Sequence, residues 1–302
     1  MGITLYKNAD WILTVNEKRE KFRHGDLLIS GKEILDVGND LEKKYAGKLQ
    51  IDKTIDAKGT VILPGFVNIH HHTWQSLIRN IQATRGLKLE PWLTVMYEIY
   101  KDLNTDVARA GVYSGLGDML KTGCTTSNDL WYPHPVGVKY LVDAEIQAAA
   151  EIGIRFHPTR GFHSVPSDIV PPEVVDTKES VTEDTIRLVK KYHDRSRFSM
   201  CQVGIAPSIA QYETEDIIEA VVDLAEEYDI MVHGHLAESQ HEVEYTLKTW
   251  GCRPFEWFKR HRLLGKRFYF AHCIHLNEEE IEQMAETETG VALCPISNML
   301  LS

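Results

Sequence analysis

The sequence is poor in the features that would place it outside the cell or on nucleic acid. Its five cysteines, Cys124, Cys201, Cys252, Cys273 and Cys294, are scattered among 302 residues and form no Cys-x-x-Cys pair. This argues against a disulfide framework and for a reducing compartment. No apolar run approaches the roughly 18 residues that cross a bilayer. The opening segment MGITLYKNADWILTV lacks the charged-then-apolar build of an export signal. Basic residues are outnumbered, 33 Lys and Arg against 44 Asp and Glu, for a formal charge of −11. Such a chain is a poor phosphate clamp, so nucleic acid is excluded as a partner. The expectation is a soluble cytoplasmic protein that binds neither membrane nor nucleic acid. No G-x-G-x-x-G or phosphate loop follows a β-rich run, and neither H-E-x-x-H nor G-x-S-x-G is present.

The composition, 43% hydrophobic and 25% charged, is that of an ordinary globular protein. Residues 1–62 read as short strands, with Gly31-Lys32 as a two-residue hairpin turn. From residue 63 onward the pattern alternates. β-like runs FVNIHHH, CTTSNDL, IRFHPTR, FSMCQVGIAP, IMVHGHL, RFYFAHC and VALCP are separated by stretches with helical spacing. Thr105 is read as a helix cap, Ser180-Val-Thr-Glu183 as a capping box, Asn277 with Glu280 as another, and residues 238–260 as one helical region. Seven βα units predict a parallel α/β sheet curled as in a (β/α)8 TIM-like barrel, stopping after the seventh strand, behind a small N-terminal β layer. An open doubly wound sheet is the alternative.

The chemically notable residues fall at the C-terminal ends of the predicted strands, where a βα barrel carries its active site. His70 and His72 lie two apart and share a side of the chain, with His71 facing away. A second pair, His233 and His235, ends another strand, with Glu238 three residues further on. One imidazole from this pair completes a three-histidine metal site with His70 and His72. A nearby carboxylate that does not ligate then serves to move protons. His272 can hydrogen-bond a substrate oxygen, with burial in the core as its competing reading. Of the tryptophans, Trp74 and Trp131 follow strand ends and are the pocket candidates. The acidic run Glu278-Glu279-Glu280 is read as a solvated helix face.

The segments PGFVNIHHHTWQSL, HGHLAES, YFAHCIHL and TGVALCPISN together resemble the amidohydrolase superfamily. The branch is that of cytosine, guanine and S-adenosylhomocysteine deaminases with the triazine hydrolases. The segments LEPWLTVMYEIYKDL and EIGIRFHPTRGFHSV are similar to the 8-oxoguanine deaminases of that branch. The resemblance implies His70, His72 and His235 as metal ligands, with His233 not a ligand. It implies Glu238 as the proton shuttle, His272 in contact with substrate, and Gln75 hydrogen-bonded to the substrate ring. It implies one divalent ion, zinc, with iron or manganese as alternatives, a small aminated heterocycle as substrate, and a homo-oligomer. It implies that the β layer of residues 1–62 is an N-terminal part of a small β-sandwich. The family's metal-binding aspartate of strand eight and the remaining sandwich strands are expected beyond position 302, so Asp129 is not assigned to that vacant role. The implied reaction is hydrolytic deamination. The alternatives are a triazine-type hydrolase that releases alkylamine or halide, and a non-catalytic fragment.

Overall fold

A computed structural model of the chain describes residues 2–301. It divides into two compact units that meet in sequence between Phe66 and Val67.

The first unit is a five-stranded sheet built from β1 (Ile3–Leu13), β2 (Lys21–Ser30), β3 (Glu33–Gly38), β4 (Lys53–Asp56) and β5 (Val61–Ile62). The order is β3-β2-β1-β4, with β5 also pairing β1. The β2–β3 connection is the expected two-residue hairpin, with Ser30 opposite Glu33 and Gly31 at φ 57°. Leu5 and Leu28 pack on Leu41 of the short helix α1 (Leu41–Tyr45).

The second unit is a seven-stranded sheet in sequence order: β6 (Phe66–Asn68), β7 (Cys124–Trp131), β8 (Arg155–Phe162), β9 (Gly204–Pro207), β10 (Val232–Leu236), β11 (Phe268–His272) and β12 (Gly290–Ala292). The registered pairs from β7 to β12 are all parallel. The sheet is curled, with α2 (Leu89–Tyr100), α3 (Thr105–Lys121), α4 (Leu141–Ile152), α5 (Lys178–Tyr192), α6 (Glu215–Tyr228), α7 (Gln240–Trp250), α8 (Pro254–Arg260), α9 (Glu278–Thr287) and α10 (Pro295–Leu301) between or after its strands. Strands buried on both faces read as continuous apolar runs, as Val203, Ile205 and Ala206 do on the approach to and within β9. No described helix is long and apolar enough to cross a membrane.

Several local expectations shift. Asn104, not Thr105, caps α3, its side chain accepting from the amides of Asp106 and Val107. Thr177, not Ser180, caps α5, so Ser180 to Glu183 lies inside the helix. The run 198–207 is a strand only from Gly204, with Cys201 joined to Phe156 by an isolated bridge. The helical region 238–260 splits into α7 and α8 at Gly251, whose φ of 66° suits a glycine C-cap. The Asn277/Glu280 capping box forms as expected, but Glu280 is buried against Arg253, so the acidic run is not uniformly solvated.

Candidate metal centre and cavity

β6 ends at Asn68, so His70, His71 and His72 sit just beyond the strand, still alternating in direction. His71 turns outward, its Nδ1 accepting from the His72 amide at 2.6 Å. The carbonyl of His71 takes the Leu130 amide at 2.8 Å, pinning this segment to the end of β7. His70 and His72 meet His235, which is carried by β10. One ring nitrogen from each of the three lies within 4.8 Å of the others.

The hydrogen bonds fix which nitrogen each ring offers. His72 Nδ1 donates to the Leu130 carbonyl at 2.7 Å. His235 Nδ1 donates to the Ser208 carbonyl at 2.7 Å. His233 Nδ1 donates to the Tyr269 carbonyl at 2.9 Å, which leaves its Nε2 to accept from His70 Nδ1 at 2.8 Å. A neutral imidazole has one donor and one acceptor nitrogen, so all three convergent rings present an Nε2 lone pair. The Nε2 atoms of His72 and His235 face each other at 3.3 Å. Two lone pairs at that distance repel unless a cation lies between them. Nitrogens on a tetrahedral zinc, with bonds of about 2.0–2.1 Å, stand about 3.3–3.4 Å apart. The residues present therefore fit a divalent ion. Burial depresses the basicity of each ring first, with neighbouring imidazoles adding repulsion, and His72 is pushed down to about 3. The rings thus stay neutral at working pH, as ligands must. His233, stacked 4.0 Å over Tyr269, orients His70 from behind.

Glu238 is nearly buried beside these rings, its Oε1 3.3 Å from His272 Nε2. Burial, reinforced by the charge of Glu90, raises its carboxyl to about 8. His272 Nδ1 bonds Asn298 Oδ1 at 2.7 Å. The turns that present these groups are tight. Ala237, His272 and Cys273 adopt φ of 49°, 71° and 57°, conformations that cost a non-glycine residue about 1–3 kcal/mol each. They are held by bonds from the Cys273 amide to the Leu236 carbonyl and from the His275 amide to the Ala237 carbonyl, at 2.9 and 3.0 Å. Glu242 adds a further anchor, its carboxylate accepting the amides of Ala237 and Glu238 at 3.1 and 2.9 Å. Sequence reasoning passed over Glu242, although Ser239-Gln-His-Glu242 carries a capping-box spacing; Ser239 does cap α7.

A cavity of about 560 Å³ opens over the histidines, lined among others by Gln75, Trp92, Tyr132, Glu238 and His272. Gln75 reaches it with its amide bonded to the Tyr100 hydroxyl at 3.0 Å. Trp74 and Trp131 do not line it. They pack on each other at 4.6 Å between ring centroids and are essentially fully buried. A residue following a strand end can turn into the barrel wall instead of the mouth, and large aromatics gain most by doing so. Tyr132, one residue on, lies edge-on to His72 at 5.1 Å and takes the place expected of Trp131.

A half-barrel of parallel strands with convergent histidines at its C-terminal rim puts the candidate metal site where a βα barrel carries its active site. The chain belongs to the amidohydrolase family, whose model matches residues 61–302. It is 34% identical over 250 residues to 8-oxoguanine deaminase of Pseudomonas aeruginosa, covering 82% of this chain and 56% of that protein. It is 31% identical over 299 residues to 5-methylthioadenosine/S-adenosylhomocysteine deaminase of Bacillus cereus strain B4264, covering 99% of this chain and 64% of that one. The crystal structure of atrazine chlorohydrolase from Arthrobacter aurescens TC1 complexed with zinc superposes with a TM-score of 0.86 at 25% identity, over 96% of this chain and 64% of that one. The chain thus spans 56% to 64% of the length of these relatives.

Proposed function

We propose that this chain carries the metal site of a hydrolytic deaminase acting on an aminated heterocycle of the 8-oxoguanine, pterin or triazine kind. The observation that carries the reading is the set of three Nε2 lone pairs turned on one point, with an un-ionised, unligated carboxyl at Glu238 beside them. His70, His72 and His235 hold the ion, for which zinc suits neutral imidazoles in tetrahedral geometry. When bound, it supplies Lewis acidity and lowers the pKa of coordinated water to about 7.

The rest of the chemistry belongs to the chain. Glu238, protonated near neutral pH, gives its proton to the ring nitrogen next to the amino-bearing carbon and, as the carboxylate so formed, takes one from the attacking water; the proton of the resulting tetrahedral hydroxyl leaves with the amino group as ammonia. His272 contacts Glu238 and lines the cavity, where it orients the substrate ring. Gln75 offers its amide to the ring edge, and Tyr132 supplies an aromatic wall. A second reading, hydrolysis that releases alkylamine or halide from a triazine, is favoured by the likeness to the triazine hydrolase structure. A poor leaving group such as ammonia needs the general acid most, so Glu238 tilts the reading toward deamination.

The test is a zinc-loaded assay of the full polypeptide that contains this chain. Ammonia release would be measured from 8-oxoguanine, isoxanthopterin, guanine, cytosine and aminotriazines, alongside chloride and alkylamine release from substituted triazines. Ammonia from at least one ring is expected. Turnover of acyclic amides or phosphoesters alone would overturn the reading.

A further inference from the structure

Behind the first histidine pair lies a buried acidic cluster that the proposed chemistry does not use. Asp129, at the end of β7, accepts the Thr73 amide on Oδ1 at 2.5 Å. Thr73 follows His72 directly. Its hydroxyl donates to Glu145 Oε1 of α4 at 2.6 Å. Thr73, Asp129 and Glu145 are all completely buried. The two carboxyls thus hold the same residue, one by its amide and one by its hydroxyl. Neither of the remaining oxygens, Asp129 Oδ2 and Glu145 Oε2, has a further partner, and no described Lys, Arg or His pairs with either residue. Burial raises both carboxyls, so the pair does not carry two charges near neutral pH.

This arrangement is costly as mere core filling. Burying polar groups without full satisfaction is destabilising, and a hydrophobic pair of similar volume would fill two fully buried positions without that cost. What the cluster does geometrically is close a frame around the metal-binding segment. The end of β7 grips residues 71 to 73 at three successive points: Leu130 amide to His71 carbonyl, His72 Nδ1 to Leu130 carbonyl, and Thr73 amide to Asp129. Glu145 then ties the fourth group, the Thr73 hydroxyl, to α4. The ring of His72 hangs from this frame. A tilt of its backbone would move Nε2 away from the 3.3 Å approach to His235.

We propose that Asp129 and Glu145 are positioning residues, a carboxyl pair that clamps Thr73 and thereby sets the aim of His72 in the metal site. The inference rests on the metal reading above for its zinc readout, and has a second readout that does not. In Thr73→Val and Glu145→Leu, zinc affinity per folded molecule should fall about tenfold to a hundredfold, the usual effect of losing a group that orients a ligand. Glu145→Gln keeps an acceptor for the Thr73 hydroxyl in a side chain of the same shape. It should stay within about threefold of the parent. Hydrogen exchange of the segment 70–73 in metal-free protein should speed up in Thr73→Val and Glu145→Leu and not in Glu145→Gln. Zinc affinity would be measured by competition with a chelator and normalised to the folded fraction. If Glu145→Leu does not fold, Thr73→Val, a near-isosteric change, carries the comparison. If the parent binds no zinc while the variants still loosen 70–73, the metal reading falls and the clamp stands. If the parent binds zinc and the variants lose only thermal stability, with affinity and exchange unchanged, the clamp is overturned and the metal reading stands.

Discussion

Glu238→Gln separates a proton-transferring acid from a carboxylate that merely ends a turn, because the two differ in the sign of their effect on stability. The Glu238 carboxyl faces Glu90, Glu242 and His272, and burial with the charge of Glu90 raises it from 4.5 to about 8. Below pH 4.5 it is protonated in both folded and unfolded chains and contributes no pH dependence. Between 4.5 and about 8 the unfolded chain has released a proton that the folded one keeps, so stability falls as pH rises, by 1.36 kcal/mol per unit. Above about 8 the effect is flat. Glutamine has the same shape and nothing to ionise. Metal-free Glu238→Gln should therefore match the parent near pH 4.5 and exceed it by at most about 3 kcal/mol at pH 7. Glu242, also raised to about 8 chiefly by burial, gives both proteins a similar slope, slightly reduced in the variant because the Glu238 charge that helps raise it is gone. Urea unfolding at half-unit steps from pH 4.5 to 9 reads the gap. In the zinc-loaded full polypeptide, the same variant should lower kcat by roughly 10²–10⁴ while keeping the ion. A variant that is less stable by about 0.3–1 kcal/mol at every pH with kcat intact would mean that Glu238 only complements the N-terminus of α7, and would refute the reasoning. Loss of zinc would make it a ligand.

Three further outcomes are expected. Alanine at His70, His72 or His235 should each leave the purified protein with less than about a tenth of the parent zinc by elemental analysis, because two imidazoles alone hold the ion poorly. His233→Leu removes the acceptor for His70 Nδ1 without touching the ion, and chelator competition should show affinity down about 10–100-fold with the fold kept, as circular dichroism would report. Gly111→Ala would place a Cβ 2.9 Å from Trp74 Cα and 3.0 Å from the Thr73 carbonyl, where α3 lies directly on the segment after His72. Overpacking of this kind costs about 1–3 kcal/mol and outweighs the gain in helix propensity of up to about 1, so the urea midpoint should fall.

Much of the convergence at the candidate site was legible because alternate histidines leave a dense local signature. Two H-x-H pairs at strand ends, each projecting on alternate residues, place ligands on one side whatever the exact strand boundary. That is why His70 and His72 converge although β6 stops two residues earlier, at Asn68. The capping residues were less legible. Asn104 and Thr177 outcompete their neighbours by a side-chain reach that depends on where the helix actually starts. The pocket walls were least legible. Trp131 and Tyr132 are adjacent, and a shift of one residue exchanges wall for core.

What the sequence determined alone is the order of alternating elements and the two histidine pairs, His70 with His72 and His233 with His235, since periodicity and residue type are properties of neighbours along the chain. What only the tertiary structure decided is which member of the second pair meets His70 and His72, which nitrogen each histidine offers, which acid burial raises, and which aromatic faces the cavity. Those follow from partners far away in sequence: the carbonyls of Leu130, Ser208 and Tyr269 that fix the three tautomers, and Glu90 lying against Glu238. The frame of Thr73, Asp129 and Glu145 is of the same kind. Its members stand up to 72 residues apart, and two carboxyls meet on one threonine only because the fold buries β7, α4 and the segment after His72 together.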